Sequence, residues 1–258
     1  MTPLISLVIL TWNHVENTAK CIESLFANTK RIEDCEVIIV DNGSTDATID
    51  YLKWWEKNAR IPFKIIQVKN TNFSQACNIG INAAEGRYIG LLNNDIWFDS
   101  DTKPENELQS HWLENCISVF NETPSVGILA PCTNFVGQGY QYLSNSRNCK
   151  PGILEVPVVN FICTFIRRET FINTGLLDES FKCWFQDDEY CYRASKKGWI
   201  VAVNLSSFIW HKGEATTKGL YDKEPIWKED YERYKFLRSM RENSDISLPR
   251  QPIESLGM

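Results

Sequence analysis

The apolar positions fall into runs of two kinds. Leu4 to Leu10 and Val37 to Val40 are short and nearly continuous, which reads as strands buried on both faces. Between them, Asn17 to Ala27 places Ala19, Ile22, Leu25 and Phe26 on one face at helical spacing. The alternation continues. Ala47 to Lys57 reads as a helix, with one of Ser44 to Asp46 as its cap, and Phe63 to Val68 as a strand. Ser74 to Ala84 reads as a helix stopped by Gly86, and Arg87 to Asp95 as a strand ending in Asn93, Asn94 and Asp95. Four strand–helix alternations in under a hundred residues predict βαβ units and a largely parallel, helix-covered sheet.

Beyond Asp95 the pattern loosens. Phe98 to Glu107 is polar and acidic and reads as a surface loop. Helices are expected over His111–Phe120, Glu169–Thr174 (stopped by Gly175), Asp187–Lys197 (ended by Gly198) and Glu224–Met240. Strands are expected over Val126–Pro131, Val156–Ile166 and Trp199–Val203. Residues 134–152 have no period and read as a long irregular loop of functional type. The predicted class is α/β. One domain spans 1–220, with halves 1–97 and 98–220, followed by a C-terminal helix and frayed tail, 221–258.

Composition narrows the function. A net charge of −6 and a pI near 5.3 argue against a broad nucleic-acid-binding face. No basic, apolar leader opens the chain, and no apolar run is long enough to span a bilayer. The nine cysteines form no C-x-x-C pair, so reduced, buried thiols in a cytoplasmic protein are expected.

The polar clusters lie where strands end: Thr11–Trp12–Asn13, Asp41–Asn42–Gly43–Ser44 and Asn93–Asn94–Asp95. In open α/β sheets, ligands bind beyond the carboxyl ends of strands. Asp95 is thereby placed with an oxygen available to a cation, although Asn-Asn-Asp is by itself also ordinary turn chemistry. Gln186–Asp187–Asp188–Glu189 opens a helix, where acids also complement the dipole. Trp210–His211–Lys212–Gly213 follows the strand at 199–203.

The runs VILTWN, VIIVDNGSTD, N-x-G-I-x-x-A-x-G-x-Y-I-x-x-LNND and F-Q-D-D-E-x-C-x-R-x-x-x-x-G-W resemble family-2 glycosyltransferases of the GT-A fold, in order, over about residues 4 to 217. The resemblance implies inverting transfer of a sugar from a nucleotide-diphospho-sugar, of the UDP or dTDP range, with Mn²⁺ or Mg²⁺. It implies an acceptor that is a glycan, a lipid-linked glycan or a protein, and a bacterial cell-surface polysaccharide setting. Site by site, it implies that Asp95 and His211 hold the metal. Thr11, Trp12, Asn13, Asp41, Asn42, Asn78, Asn93 and Asn94 would bind the nucleotide-sugar, with Trp12 stacking on the base. Asp187 would be the general base, with Asp188 as its alternative. Lys212 and Lys218 are candidate phosphate neutralisers, and Gln138, Tyr140 and Tyr142 candidate acceptor contacts.

The sequence departs from the family pattern at three places. Asn93 replaces the first acid of D-x-D, Cys77 a basic residue, and Gln186 a Glu. These departures keep open a non-catalytic sugar-nucleotide or glycan binder. A sugar-nucleotide nucleotidyltransferase is disfavoured, because no glycine lies in Thr11–His14. The charged C-terminal helix is open as a peripheral membrane contact or a homodimer contact.

Overall fold

The structure is a computed structural model describing residues 2–69, 71–98, 111–134, 136–137, 139–142, 152–213 and 223–242. Lys218, Gln138, most of the 98–107 loop, 214–217 of the family resemblance and the tail after 242 lie outside them.

The first half is built as the pattern predicts. Strands β1 (Ile5–Thr11), β2 (Cys35–Asp41), β3 (Phe63–Gln67) and β4 (Tyr88–Asn93) alternate with helices α1 (Val15–Asn28), α2 (Thr48–Asn58) and α3 (Phe73–Ala83). All four strands are parallel, in the order β3-β2-β1-β4. Asn72 and Gln75 cap α3 reciprocally. For α2 the cap is Ala47, and Asp46, one residue earlier, accepts from the Thr48 N–H instead.

Among the described residues the sheet continues through β8 (Cys163–Arg167), β6 (Val126–Thr133), β9 (Ile200–His211) and β5 (Ile96–Trp97), with β7 (Ile153–Glu155) also on β9. β8 is antiparallel to both β4 and β6, β5 and β7 are antiparallel to β9, and β6 runs parallel to β9. The covering helices are α4 (Trp112–Glu122), α5 (Arg168–Thr174), α6 (Gln186–Lys196) and α7 (Lys223–Glu242).

The alternation of strand side chains splits the core into two layers. Ile5, Leu7 and Ile9 of β1 face the layer holding Cys21, Ile22 and Leu25 of α1 and Trp112 of α4. Val8 faces the layer holding Ala76, Cys77 and Ile81 of α3 and Tyr190 and Cys191 of α6. Each fully buried aliphatic chain contributes about 1.5–3 kcal/mol. The two-layer arrangement therefore fixes strand register, since a one-residue slip would exchange the layers.

Four expectations need correcting. The apolar run Val156–Ile166 is not one strand: β7 ends at Glu155 and β8 begins at Cys163. Trp210 and His211 do not follow a strand ending at Val203 but close β9, which runs on to His211. Phe98 is not part of a polar loop surface; it is fully buried against Trp112. Gly86 is not a left-handed helix stop. A Cβ there would lie 2.6 Å from the Ser6 backbone nitrogen, so its glycine serves the close approach to β1.

Of the eight described cysteines seven are buried and Cys183 is half-buried. No helix among the described residues is long and apolar enough to cross a membrane.

Candidate active site

The turns after β1 and β2 are fastened to each other. Asn13 and His14 both adopt left-handed backbone, at φ 54° and 57°. The Asn13 N–H donates to Ser44 Oγ at 2.7 Å, and Asn13 Oδ1 accepts from the Thr45 N–H at 2.7 Å. The Val15 N–H donates to Asp46 Oδ2 at 3.0 Å. Asp41, almost fully buried, accepts from the Gly43 and Ser44 N–H groups and from the Ser44 hydroxyl. Gly43 has φ +81°, which a residue with a Cβ tolerates poorly. Trp12 stands on this double turn with 43% of its surface exposed, a face open to a flat ring.

Four residues expected at the nucleotide are bonded within the fold. Asn94 Nδ2 donates to Thr11 Oγ1 (3.2 Å) and to Thr18 Oγ1 (3.0 Å), and the two hydroxyls bond at 2.8 Å. This buried triad ties β1, α1 and the turn after β4. Asn42 bonds through both ends of its amide to Thr71 in the loop after β3. Asn78 is likewise committed. It donates to Leu177 O and Glu179 Oε1 and accepts from the Leu177 N–H. Asn78 therefore pins α3 to the 177–179 loop, where the resemblance implied a side chain facing the donor. Asn93 is half-buried at the end of β4, and its N–H donates to Ile162 O at 2.9 Å.

Asp95 and His211, 116 positions apart in sequence, meet. Asp95 Oδ1 lies 3.3 Å from His211 Nε2, with both side chains under 10% exposed. The β5–β9 pairing sets Ile96 opposite His211, and the Lys212 N–H closes the turn onto Asp95 O at 2.9 Å. Asn134 brackets His211, accepting from its N–H and donating to its carbonyl. Among the described residues no group of three or more His, Cys, Asp or Glu gathers as a metal cage. One carboxylate oxygen and one imidazole nitrogen nevertheless fit a divalent cation of the Mn²⁺ kind that draws its other ligands from water and phosphate.

The acid cluster opens α6. Asp187 is buried; its Oδ2 accepts from Asn160 Nδ2 at 2.7 Å and its Oδ1 from the Asp188 N–H at 3.0 Å. Asp188 is pushed up to about 7, first by burial, then by the charge of Asp187 and a hydrogen bond with it. A carboxyl held near neutrality in this way suits proton transfer. Asn160 was not singled out as a site residue. Its signal was one amide inside an otherwise apolar run, and it also donates its N–H to Gln141 Oε1 at 2.7 Å. Two residues on, Ile162 bonds the end of β4, so the 160–162 segment links the acid cluster to the Asn93–Asp95 turn. At the far side of α6, Arg193 pairs with Glu189 and caps the carbonyls of Thr174 and Leu176. Tyr140 is exposed and Tyr142 half-buried beside β6.

The fold and its polar sites at the sheet ends define a GT-A glycosyltransferase domain. The chain belongs to glycosyl transferase family 2, whose family model matches residues 6–193. It is 29% identical over 147 residues to the chondroitin synthase of Escherichia coli, covering 57% of this chain and 19% of that protein. The chain spans 16–28% of the length of the first curated relatives it matches. Among solved structures, S. aureus TarS in complex with UDP-GlcNAc superposes with a TM-score of 0.70 at 16% identity, over 94% of this chain and 68% of that one. The mannosyltransferase PcManGT from Pyrobaculum calidifontis, in complex with GDP-Man and Mn²⁺, gives 0.65 at 15% identity, over 96% and 66%. At these identities the structural likeness shows the fold alone.

Proposed function

We propose that this chain is an inverting glycosyltransferase that moves a sugar from a UDP- or dTDP-sugar to a hydroxyl of a glycan, lipid-linked glycan or protein. The reading rests on one observation above the others: Asp95, in the turn after β4, and His211, the last residue of β9, meet at 3.3 Å. Residues 1–97 would form the donor half and 98–220 the acceptor half, with a polysaccharide-forming role on the cytoplasmic side.

In this reading Asp95 and His211 hold a divalent cation, Mn²⁺ or Mg²⁺, which when bound supplies charge neutralisation at the leaving diphosphate. Trp12 stacks on the base, and Asp41 with Asn13 offers polar atoms on the double turn. Asp187, or Asp188 beside it, takes the proton of the acceptor hydroxyl as its oxygen attacks the anomeric carbon. Asn160 orients the Asp187 carboxylate through its 2.7 Å hydrogen bond. Thr11, Asn42, Asn78 and Asn94 act one step back, holding loops rather than ligand.

A thermal-shift panel of UDP, dTDP, GDP and CMP, each with and without Mn²⁺, tests the donor site. One nucleotide diphosphate should raise the melting temperature only with metal, and Asp95→Asn should abolish that rise. No rise with any nucleotide would favour a non-catalytic glycan binder, the reading that the departures at Asn93, Cys77 and Gln186 support.

A further inference from the structure

The C-terminal helix α7 docks on the loop that leads into the acid cluster, and its contacts there are unusually specific. Asp230 lies on α7 with 1% of its surface exposed. Its carboxylate accepts three consecutive backbone N–H groups: Lys182 on Oδ1 at 2.9 Å, and Cys183 and Trp184 on Oδ2 at 2.9 and 3.0 Å. A buried carboxylate is tolerated only when its oxygens are hydrogen-bonded, and bonds to a charged acceptor are the stronger kind. By contrast, the neighbouring Lys182–Glu229 pair is exposed and contributes little.

The next residue, Phe185, is the N-cap of α6 and sits at φ 65°. A bulky residue is strained in that region and persists there only where its surroundings hold it. Three rings of α7 do so. Phe185 stacks on Tyr234 at 5.6 Å and 17°, and meets Trp227 and Tyr231 at 5.4 and 5.3 Å. Asp187 and Asp188 follow within three residues. One helix thus fixes both the hydrogen bonds of the loop and the strained residue that sets the entry angle of α6.

We propose that Asp230 is a positioning residue for the acid cluster, clamping 182–184 so that α6 presents Asp187 and Asp188 to the reacting centre. The proposal rests on the reading of Asp187 or Asp188 as the base.

The test uses the full chain, as wild type, Asp230→Ala, Asp230→Asn and Asp187→Asn. Hydrogen exchange is followed over 182–188 and over β1–β4. Release of nucleotide is followed from UDP-GlcNAc, UDP-glucose, dTDP-glucose and GDP-mannose with Mn²⁺. In Asp230→Ala, exchange over 182–188 should rise about tenfold with β1–β4 unchanged. kcat should fall roughly ten- to a hundredfold while the donor KM stays within about twofold. Asp230→Asn, which keeps one acceptor oxygen and the side-chain volume, should fall between, and carries the test if the Ala variant does not fold. Unchanged exchange over 182–188 would overturn the clamp. A loosened loop with unchanged kcat, or with a raised KM alone, would overturn the positioning role. Full activity in Asp187→Asn and in a matching Asp188→Asn alike, or no release by the wild type, would overturn the base reading and the proposal with it. The exchange data would then still report whether the clamp exists.

Discussion

Asp188 gives the site a pH signature. Its folded pKa, near 7, lies above the 3.8 of the free side chain, so between those values the folded state binds the extra proton. Stability attributable to this group is therefore full below about pH 4, falls as pH rises toward 7, and is flat above. Asp188→Asn should flatten that slope and raise the melting temperature at pH 8 by a few degrees, about 2–4 °C per kcal/mol for a chain of this size. Calorimetric scans from pH 5 to 8 would read it. Transfer, if this pair supplies the base, should rise with pH through about 7 as the proton leaves. The Thr11–Thr18–Asn94 triad makes a different residue-scale prediction. Thr18→Val keeps the shape but removes a buried partner of both others, and should cost about 1–3 kcal/mol in urea denaturation. The polar ends Thr11, Asp41, Asn94 and Asp95 were visible as clusters closing apolar runs. Which of the polar residues at these ends hold loops was not, because the partners, Thr18 for Thr11 and Asn94 and Thr71 for Asn42, are set by tertiary contacts. Asp230 had no signal at all, being one acid among many on a charged helix.

At the scale of elements, α3 shows which of two opposing effects prevails. Gly80→Ala would gain about 1 kcal/mol of helix propensity. The added Cβ would lie 2.2 Å from Val8 Cγ1, and overpacking against a stiff β-branched chain costs about 1–3 kcal/mol. The net should be destabilising, seen as a lower urea midpoint with unchanged m-value. In the same core layer, Arg193 joins α6 to the carbonyls at the end of α5, and its side chain is 19% exposed against 1% for Glu189. Arg193→Met removes the cation that faces the buried Glu189 carboxylate, which should cost about 3–5 kcal/mol in urea denaturation. The four parallel strands and three helices of the first half were legible because short continuous apolar runs and stretches of period 3.6 alternate cleanly there. The second half was read less well for a physical reason. Val156–Ile166 is apolar but for Asn160 and Thr164, and an apolar run buried as a loop has the same composition as one buried as a strand. β9 was read short because Asn204, Ser206 and Ser207 interrupt its apolar run; Asn204 and Ser207 are fully buried, and Asn204 makes local bonds where the register to β6 shifts.

For the whole molecule, the sheet joins the two halves through the β4–β8 pairing, so Asp95, just past β4, and His211, closing β9, stand on one continuous hydrogen-bonded framework. If the donor site needs metal, EDTA should erase the nucleotide-induced stabilisation and Mn²⁺ restore it. At a hundredfold excess over Kd the shift should be about 5–10 °C. The cysteines of that framework have a further consequence. Burial pushes the thiols of Cys35 and Cys116 up to about 12, and those of Cys21, Cys77, Cys163 and Cys191 up as well. The thiolate is the reactive form, so in the native state these side chains are chemically silent toward alkylating reagents and peroxide at neutral pH. Their labelling kinetics then act as a clock for opening of the β1–β4 and β8 layers, dispersed through the sequence and needing no engineered probe.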